Sequence, residues 1–260
     1  MGVPAQRVER SLLVAAVLLV SAGALASSAL RSPARAETPI GQGQVVSLVI
    51  GVNDYGDPEI NLVSSVNDAH AVDDALAASG VPDADRTVLT DKAATATNIR
   101  NAIREFVARA THAKTAVFFF AGHARKLAIG REAILAADGE QIQDTELAAL
   151  LAPASRPMWI GMATCYGGGF DELLAPGRVL TAAADANSEA YESDKLHHSY
   201  LVDALIHDGL SNNFSTRSIQ SAFSVGSDEL RRQHPNRLPV LLSDSPSPLV
   251  VVPSTPPAVG

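Results

Sequence analysis

Two residues of this chain could together break an amide bond: His123 and the chain's one cysteine, Cys165, which follows it by 42 residues. A thiol becomes a strong nucleophile once its proton is taken, and a neighbouring imidazole can take that proton and later hand it to a leaving amine. His123 lies in Phe119-Phe120-Ala121-Gly122-His123-Ala124 and Cys165 in Ala163-Thr164-Cys165-Tyr166-Gly167-Gly168-Gly169, each directly after an apolar run. A lone cysteine is by type more often a small buried apolar group. The three glycines that bare the backbone after it, and a histidine in an equivalent place, weigh toward nucleophilic chemistry. His70, His112, His197, His198, His207 and His234 have no comparable setting and read as structural or solvated.

The elements that must position this pair alternate. Residues 45–52 (VVSLVIGV), 86–89, 115–121 (TAVFFFA), 158–162 (MWIGM) and 179–182 read as short buried strands, with a minor strand at 133–136 and a last apolar run at 249–252. Leu62, Val66, Ala69, Val72 and Leu76 recur at helical steps, closed by Gly80. Thr97 is the expected cap of a helix with apolar face Ile99, Ile103, Phe106, Val107 and Ala110. Further helices are expected at 146–151, 200–206 and 216–232. Strands alternating with helices at this spacing make an α/β fold with a mostly parallel sheet, and such sheets place ligands at the carboxyl ends of their strands. His123 and Cys165 both fall there.

Composition narrows the function classes. With 47% apolar and 18% charged residues in 260, the chain can close a substantial core. Its net charge of −8 leaves no basic surface of the kind that holds nucleic acid, so no nucleic-acid partner is expected. One cysteine excludes an internal disulfide framework and any cysteine-based zinc or iron–sulfur site. Gly41-Gln42-Gly43 has neither the preceding strand nor the Gly-Lys-Ser/Thr of a phosphate loop. No metal or cofactor is expected.

Residues 1–36 read as a signal peptide: Arg7 and Arg10 lead into the apolar run 11–30, and Ala34-Arg35-Ala36 fits a signal-peptidase site. The expected location is therefore secreted or extracytoplasmic, with membrane attachment only if the segment stays uncleaved. Removal takes away Arg7, Arg10, Arg31 and Arg35 with only Glu9, which leaves a more acidic chain. The expected organisation is a linker at 37–44, one domain at 45–242 and a Pro/Ser-rich tail at 243–260.

The chain resembles the caspase-like cysteine peptidases, the clan of caspases and metacaspases, and within it the bacterial secreted branch. The resemblance is carried by Leu48-Val49-Ile50-Gly51-Val52-Asn53-Asp54-Tyr55, by Asn67-Asp68-Ala69, by Val88-Leu89-Thr90-Asp91 with Ala94-Thr95, by Gly122-His123 and by Cys165-Tyr166-Gly167-Gly168, in the family's order. In caspases too the histidine precedes, by roughly 50 residues, a cysteine closely followed by glycine. The resemblance implies a three-layer α/β/α sandwich, a Cys165 acyl-enzyme with His123 as general acid and base, and a peptide or protein substrate. It also implies an oxyanion hole from the backbone N–H groups of Ala124 and Cys165.

Two positions depart from the family. Ala124 stands where glycine is usual, and its methyl fits only if φ there is negative. Ala163, two residues before the cysteine, stands where many relatives specific for basic residues carry aspartate at the floor of the substrate pocket. Asp68 matches the family's other pocket acid, so the resemblance implies a weakened preference for Lys or Arg. Ser188-Glu189-Ala190-Tyr191-Glu192 resembles a family segment near the substrate.

Ala124 and Ala163 also suggest a different class, a catalytically impaired pseudoenzyme kept as a binding or regulatory module. A third reading makes Ala163-Thr164-Cys165-Tyr166-Gly167 a hydrolase-type nucleophile elbow with His207 or His234 as base.

Overall fold

The computed structural model describes residues 40–252 apart from 43, 194, 237 and 238; the expected signal peptide lies outside the described residues. In chain order the elements are β1 (Ile40–Gln42), β2 (Val45–Gly51), α1 (Ser65–Ala78), β3 (Arg86–Thr90), α2 (Ala96–Ala110) and β4 (Thr115–Ala121). Then come β5 (Ala124–Ala128), β6 (Arg131–Leu135), β7 (Gln141–Gln143), α3 (Asp144–Leu151), β8 (Met158–Ala163) and β9 (Arg178–Ala182). The chain continues through β10 (Glu192–Ser193), β11 (His198–Ser199), the single turn α4 (Tyr200–Val202) and a π-helical stretch (Asp203–Gly209). It closes with α5 (Ile219–Gln233), β12 (Val240–Ser243) and β13 (Leu249–Val252).

The central sheet has six strands in the order β12-β9-β8-β4-β2-β3, parallel except where β12 runs antiparallel to β9. Every residue of β2, β4, β8 and β9 is buried, as their continuous apolar runs require of strands covered on both faces. Phe118, Phe120 and Ile50 pack on one side against Ile99, Ile103 and Phe106 of α2 and Leu147 of α3. Phe119, Trp159 and Val49 pack on the other against Val72 and Leu76 of α1 and Ile219 of α5. The result is the expected α/β/α sandwich.

The helix starts differ from the sequence reading in detail. α2 is capped by Thr95, whose side chain accepts from the Asn98 N–H at 3.3 Å, and not by Thr97. The extended backbone of Thr95 aims its hydroxyl at the third helical N–H. Leu62 precedes α1, its N–H bonded to the Asn53 carbonyl. Gly51 lets β2 and α1 meet: a Cβ there would lie 2.4 Å from the Ser65 carbonyl oxygen.

Two small sheets escaped the sequence reading in whole or part. β5, β6 and β7 form an antiparallel three-stranded sheet directly after His123, and β10 pairs with β11. β13 pairs in parallel with β1, and Leu249 and Val251 are buried. Among the described residues no helix is long and apolar enough to cross a membrane.

Candidate active site

The last register pair between the parallel neighbours β4 and β8 is Ala121 with Ala163. His123 and Cys165 each stand two residues beyond it, so the 42-residue separation in sequence closes into adjacent positions at one sheet edge. The Gly122 N–H bonds across to the Ala163 carbonyl at 3.4 Å. No side chain fits at Gly122, because a Cβ would lie 2.7 Å from the Tyr55 hydroxyl oxygen and 2.9 Å from the Phe120 ring.

His123 is held at two points. Its backbone N–H donates to the Tyr55 hydroxyl at 2.7 Å, and its ring Nε2 lies 2.7 Å from the Ile60 carbonyl oxygen. A carbonyl can only accept, so Nε2 carries the ring proton, and in the neutral imidazole the lone pair is left on Nδ1. The Tyr55 ring packs beside it at 4.9 Å between centroids.

Cys165 is half-buried, and its Sγ accepts from the Ala190 N–H at 3.3 Å while facing the Ala190 carbonyl at 3.8 Å. The Tyr166 N–H bonds to the Ser188 carbonyl at 2.9 Å, so residues 188–190 are stitched along the cysteine turn. The surroundings of the thiol set its pKa. In the structure burial dominates and pushes it up; the Ala190 N–H opposes this, and the Glu189 charge adds to it. Among the described residues no hydrogen bond links the thiol to the imidazole. Burial thus disfavours the thiolate at this position.

Both side chains line one cleft of about 210 Å³, together with Asp68, Ala163, Thr164 and Glu192. Asp68, from α1, is almost wholly buried; its Oδ1 accepts from the Ser199 N–H at 2.9 Å and faces His198 Nδ1 at 3.3 Å. Burial pushes the Asp68 carboxyl pKa up, opposed by these same partners. Ala190, Tyr191 and Glu192 also line the cleft. The Glu192 carboxylate is already engaged at the start of α1, accepting from the N–H groups of Val63 and Ser64 at 3.1 and 3.0 Å and from the Ser65 hydroxyl at 3.2 Å.

Four of the five sequence-derived candidates thus meet in the cleft, and Ala124 does not. It lines an adjoining recess with Ile60, His123, Arg125 and Leu135. Its φ is not positive, so the methyl is accommodated. The Leu135 N–H bonds to the His123 carbonyl, so the next ladder pair, Ala124 with Ile134, is a non-hydrogen-bonded one whose N–H turns away from β6. His207 and His234, the bases of the elbow reading, do not line the cleft. Among the described residues no group of three His, Cys, Asp or Glu side chains is placed to hold a metal ion.

The opening motif works as scaffolding. Asn53 Oδ1 accepts from the Ser65 and Val66 N–H groups at 2.9 and 3.3 Å, and Asp91 Oδ1 accepts from the Asn53 and Asp54 N–H groups at 2.7 and 2.9 Å. The glycine triplet likewise serves packing. A Cβ at Gly167 would lie 2.9 Å from the Ala182 Cβ, one at Gly168 2.9 Å from Val240, and one at Gly169 2.5 Å from the Glu132 carboxyl carbon.

Glu132 is fully buried, neither carboxylate oxygen has a hydrogen-bond partner among the described residues, and Lys126 Nζ stands 3.8 Å away. Burial pushes its pKa up to about 7. A raised acid pKa in the folded state favours folding below the unfolded carboxyl range and loses that contribution as pH rises through about 7. Denaturant titrations are therefore expected to show stability falling between about pH 5 and pH 8. In Glu132→Gln that portion of the slope should disappear; a slope unchanged in the variant would assign it to other groups.

Residues 44–218 match the family model described as the caspase domain. A crystal structure of a protein from Geobacter sulfurreducens shares the fold at a TM-score of 0.61 and 16% identity, covering 78% of this chain and 94% of that one. No curated protein matches. A match over that much of the chain, on a six-stranded sandwich that brings a histidine and a cysteine to one sheet edge, establishes that the chain belongs to the caspase-domain family, at the family level a family of cysteine peptidases.

Proposed function

We propose that the protein is a cysteine endopeptidase that cuts peptide bonds through an acyl-enzyme on Cys165, with His123 as general acid and base. The observation that supports this most is the tethering of His123 Nε2 to the Ile60 carbonyl at 2.7 Å, which leaves Nδ1 as the basic nitrogen in the cleft shared with Cys165. As Sγ attacks the substrate carbonyl carbon, its proton passes to Nδ1, and the carbonyl electron pair moves onto oxygen. The backbone N–H groups of Cys165 and Ala124 are the proposed donors to that oxyanion. Collapse expels the amine, which leaves with the Nδ1 proton. A water then gives its proton to Nδ1, attacks the thioester and releases the acid; the proton returns to sulfur. The imidazolium formed midway keeps both N–H groups, one still on Ile60, so no tautomer change is needed.

Substrate preference follows from the acids of the cleft. An arriving guanidinium or ammonium would offset the burial that disfavours the Asp68 charge, but Ala163 supplies no second carboxylate. A weak preference for Lys or Arg is the expected profile. Asp68→Ala should abolish what remains of it, and Ala163→Asp, restoring a second carboxylate worth about ten- to a hundredfold in discrimination, should strengthen it. Peptide-library profiling of the three forms reads this directly. Strict basic cleavage persisting in Asp68→Ala would move the role to another acid, Glu189 or Glu192.

Residues 1–36 are proposed as a signal peptide that delivers residues 37–260 outside the cytoplasm, as in the secreted bacterial branch that the chain resembles, with the peptidase domain at 45–242. The mature protein should begin at Glu37. N-terminal sequencing of the exported form checks this, and Met1 or Gly2 recovered from a membrane fraction would mean an uncleaved anchor instead.

A further inference from the structure

Next to the catalytic cleft, a groove of about 520 Å³ is lined by one stripe of α1, which includes His70 and Asp74, and by His198, His207 and Asn212. The catalytic account uses none of these histidines. The His198 and His207 rings are 4.9 Å apart between centroids, and each is anchored through Nδ1: His198 on Asp68 Oδ1 at 3.3 Å, His207 on Asn212 Oδ1 at 2.6 Å. A carboxylate and an amide oxygen can only accept, so both Nδ1 atoms carry a proton, and in the neutral imidazole the lone pair is left on Nε2. Among the described residues neither Nε2 has a hydrogen-bond partner.

A metal-ligating histidine is ordinarily held in this way, its outer N–H on a carboxylate or carbonyl oxygen, which fixes the tautomer and the ring orientation. Two imidazoles bound at about 2.0–2.1 Å to one tetrahedral ion bring their ring centroids about 5 Å apart, close to the spacing found. His207 is presented by the π-helical stretch Asp203–Gly209, a wide and uncommon turn. That turn is pressed so tightly on α5 that a Cβ at Gly226 would lie 1.8 Å from the Ala204 carbonyl oxygen.

We propose that His198 and His207 bind a borderline transition-metal ion of the Zn²⁺ class through their Nε2 atoms, with water completing the coordination and Asp68 as the outer partner that ties the ion to the catalytic cleft. Imidazole nitrogens suit Zn²⁺, Ni²⁺ and Cu²⁺ and do not suit Ca²⁺ or Mg²⁺. An ion on Nε2 draws electron density from the ring and makes Nδ1–H a stronger donor to Asp68. That carboxylate is then held more firmly and is less available to a cationic substrate side chain. This consequence rests on the proposed role of Asp68 in substrate preference; the binding of the ion does not.

The test is a calorimetric titration with ZnCl₂ of the full chain carrying Cys165→Ala, so that a thiolate cannot supply the affinity and no peptidase activity is needed for the reading. One Zn²⁺ per chain is expected. Affinity should fall at least about tenfold on adding His198→Gln or His207→Gln, and also on adding Asp68→Asn. Affinity unchanged in both histidine variants, or no binding in the parent, overturns the proposal. A variant-free arm covers misfolding: Zn²⁺ should protect His198 and His207 of the parent chain from diethylpyrocarbonate, read by peptide mass spectrometry. Equal modification with and without Zn²⁺ overturns the proposal.

Discussion

Cys165→Ala is expected to lower peptide hydrolysis by at least about a thousandfold while leaving the fold intact, because a nucleophile and its base act as a unit. The fold should survive because Cys165 is half-buried and lends only its sulfur to the Ala190 backbone, and alanine keeps the Cβ. Turnover of a fluorogenic peptide, with circular dichroism as the check on folding, measures it. Turnover unchanged in this variant would end the enzyme reading.

His123→Ala should produce a loss of similar size, and the Cys165→Ala/His123→Ala pair should be scarcely worse than either alone. The structure sharpens this through pH. Burial and the Glu189 charge hold the resting thiol above its ordinary pKa, and among the described residues no hydrogen bond joins it to His123. Reaction with iodoacetamide, which needs only thiolate, should therefore climb with pH through and beyond the ordinary thiol range, with little difference between wild type and His123→Ala. Peptide turnover, which needs the base during attack, should collapse in the variant. Iodoacetamide reactivity that fell in parallel with turnover would instead indicate a preformed thiolate–imidazolium pair.

Much of the framework was legible in the sequence because buried parallel strands write themselves as continuous apolar runs. The runs 45–52, 115–121 and 158–162 became β2, β4 and β8, and the residues just past the carboxyl ends of β4 and β8 line the cleft. What was not legible depended on backbone groups and long-range capping. The Ile60 carbonyl that fixes the His123 tautomer carries no signature in its side chain. Glu192 holds the start of α1 from more than a hundred residues away. Tyr55 stood inside the opening motif, yet nothing about its type announced a hydroxyl bonded to the His123 N–H.

The glycine triplet after Cys165 misled in kind. It read as bared backbone for chemistry, whereas Ala182, Val240 and Glu132 press on the three positions. The short strand β5 lacks the apolar alternation that announces a strand, since Arg125 and Lys126 are adjacent on it, and β7 alternates over only three residues, Gln141-Ile142-Gln143, too few to announce one. Their sheet nevertheless sets the backbone just beyond His123, where the proposed oxyanion donor Ala124 sits.

The most direct test of the Cys165–His123 account is intact-mass and peptide mapping after exposure to a peptidyl acyloxymethyl ketone, whose capture requires both substrate-like binding and activated sulfur. The account predicts one adduct on Cys165 in the wild-type chain, forming at least about a hundredfold more slowly in His123→Ala. A folded wild-type chain that takes no adduct while iodoacetamide still alkylates Cys165, or equal capture rates in the two forms, would contradict it.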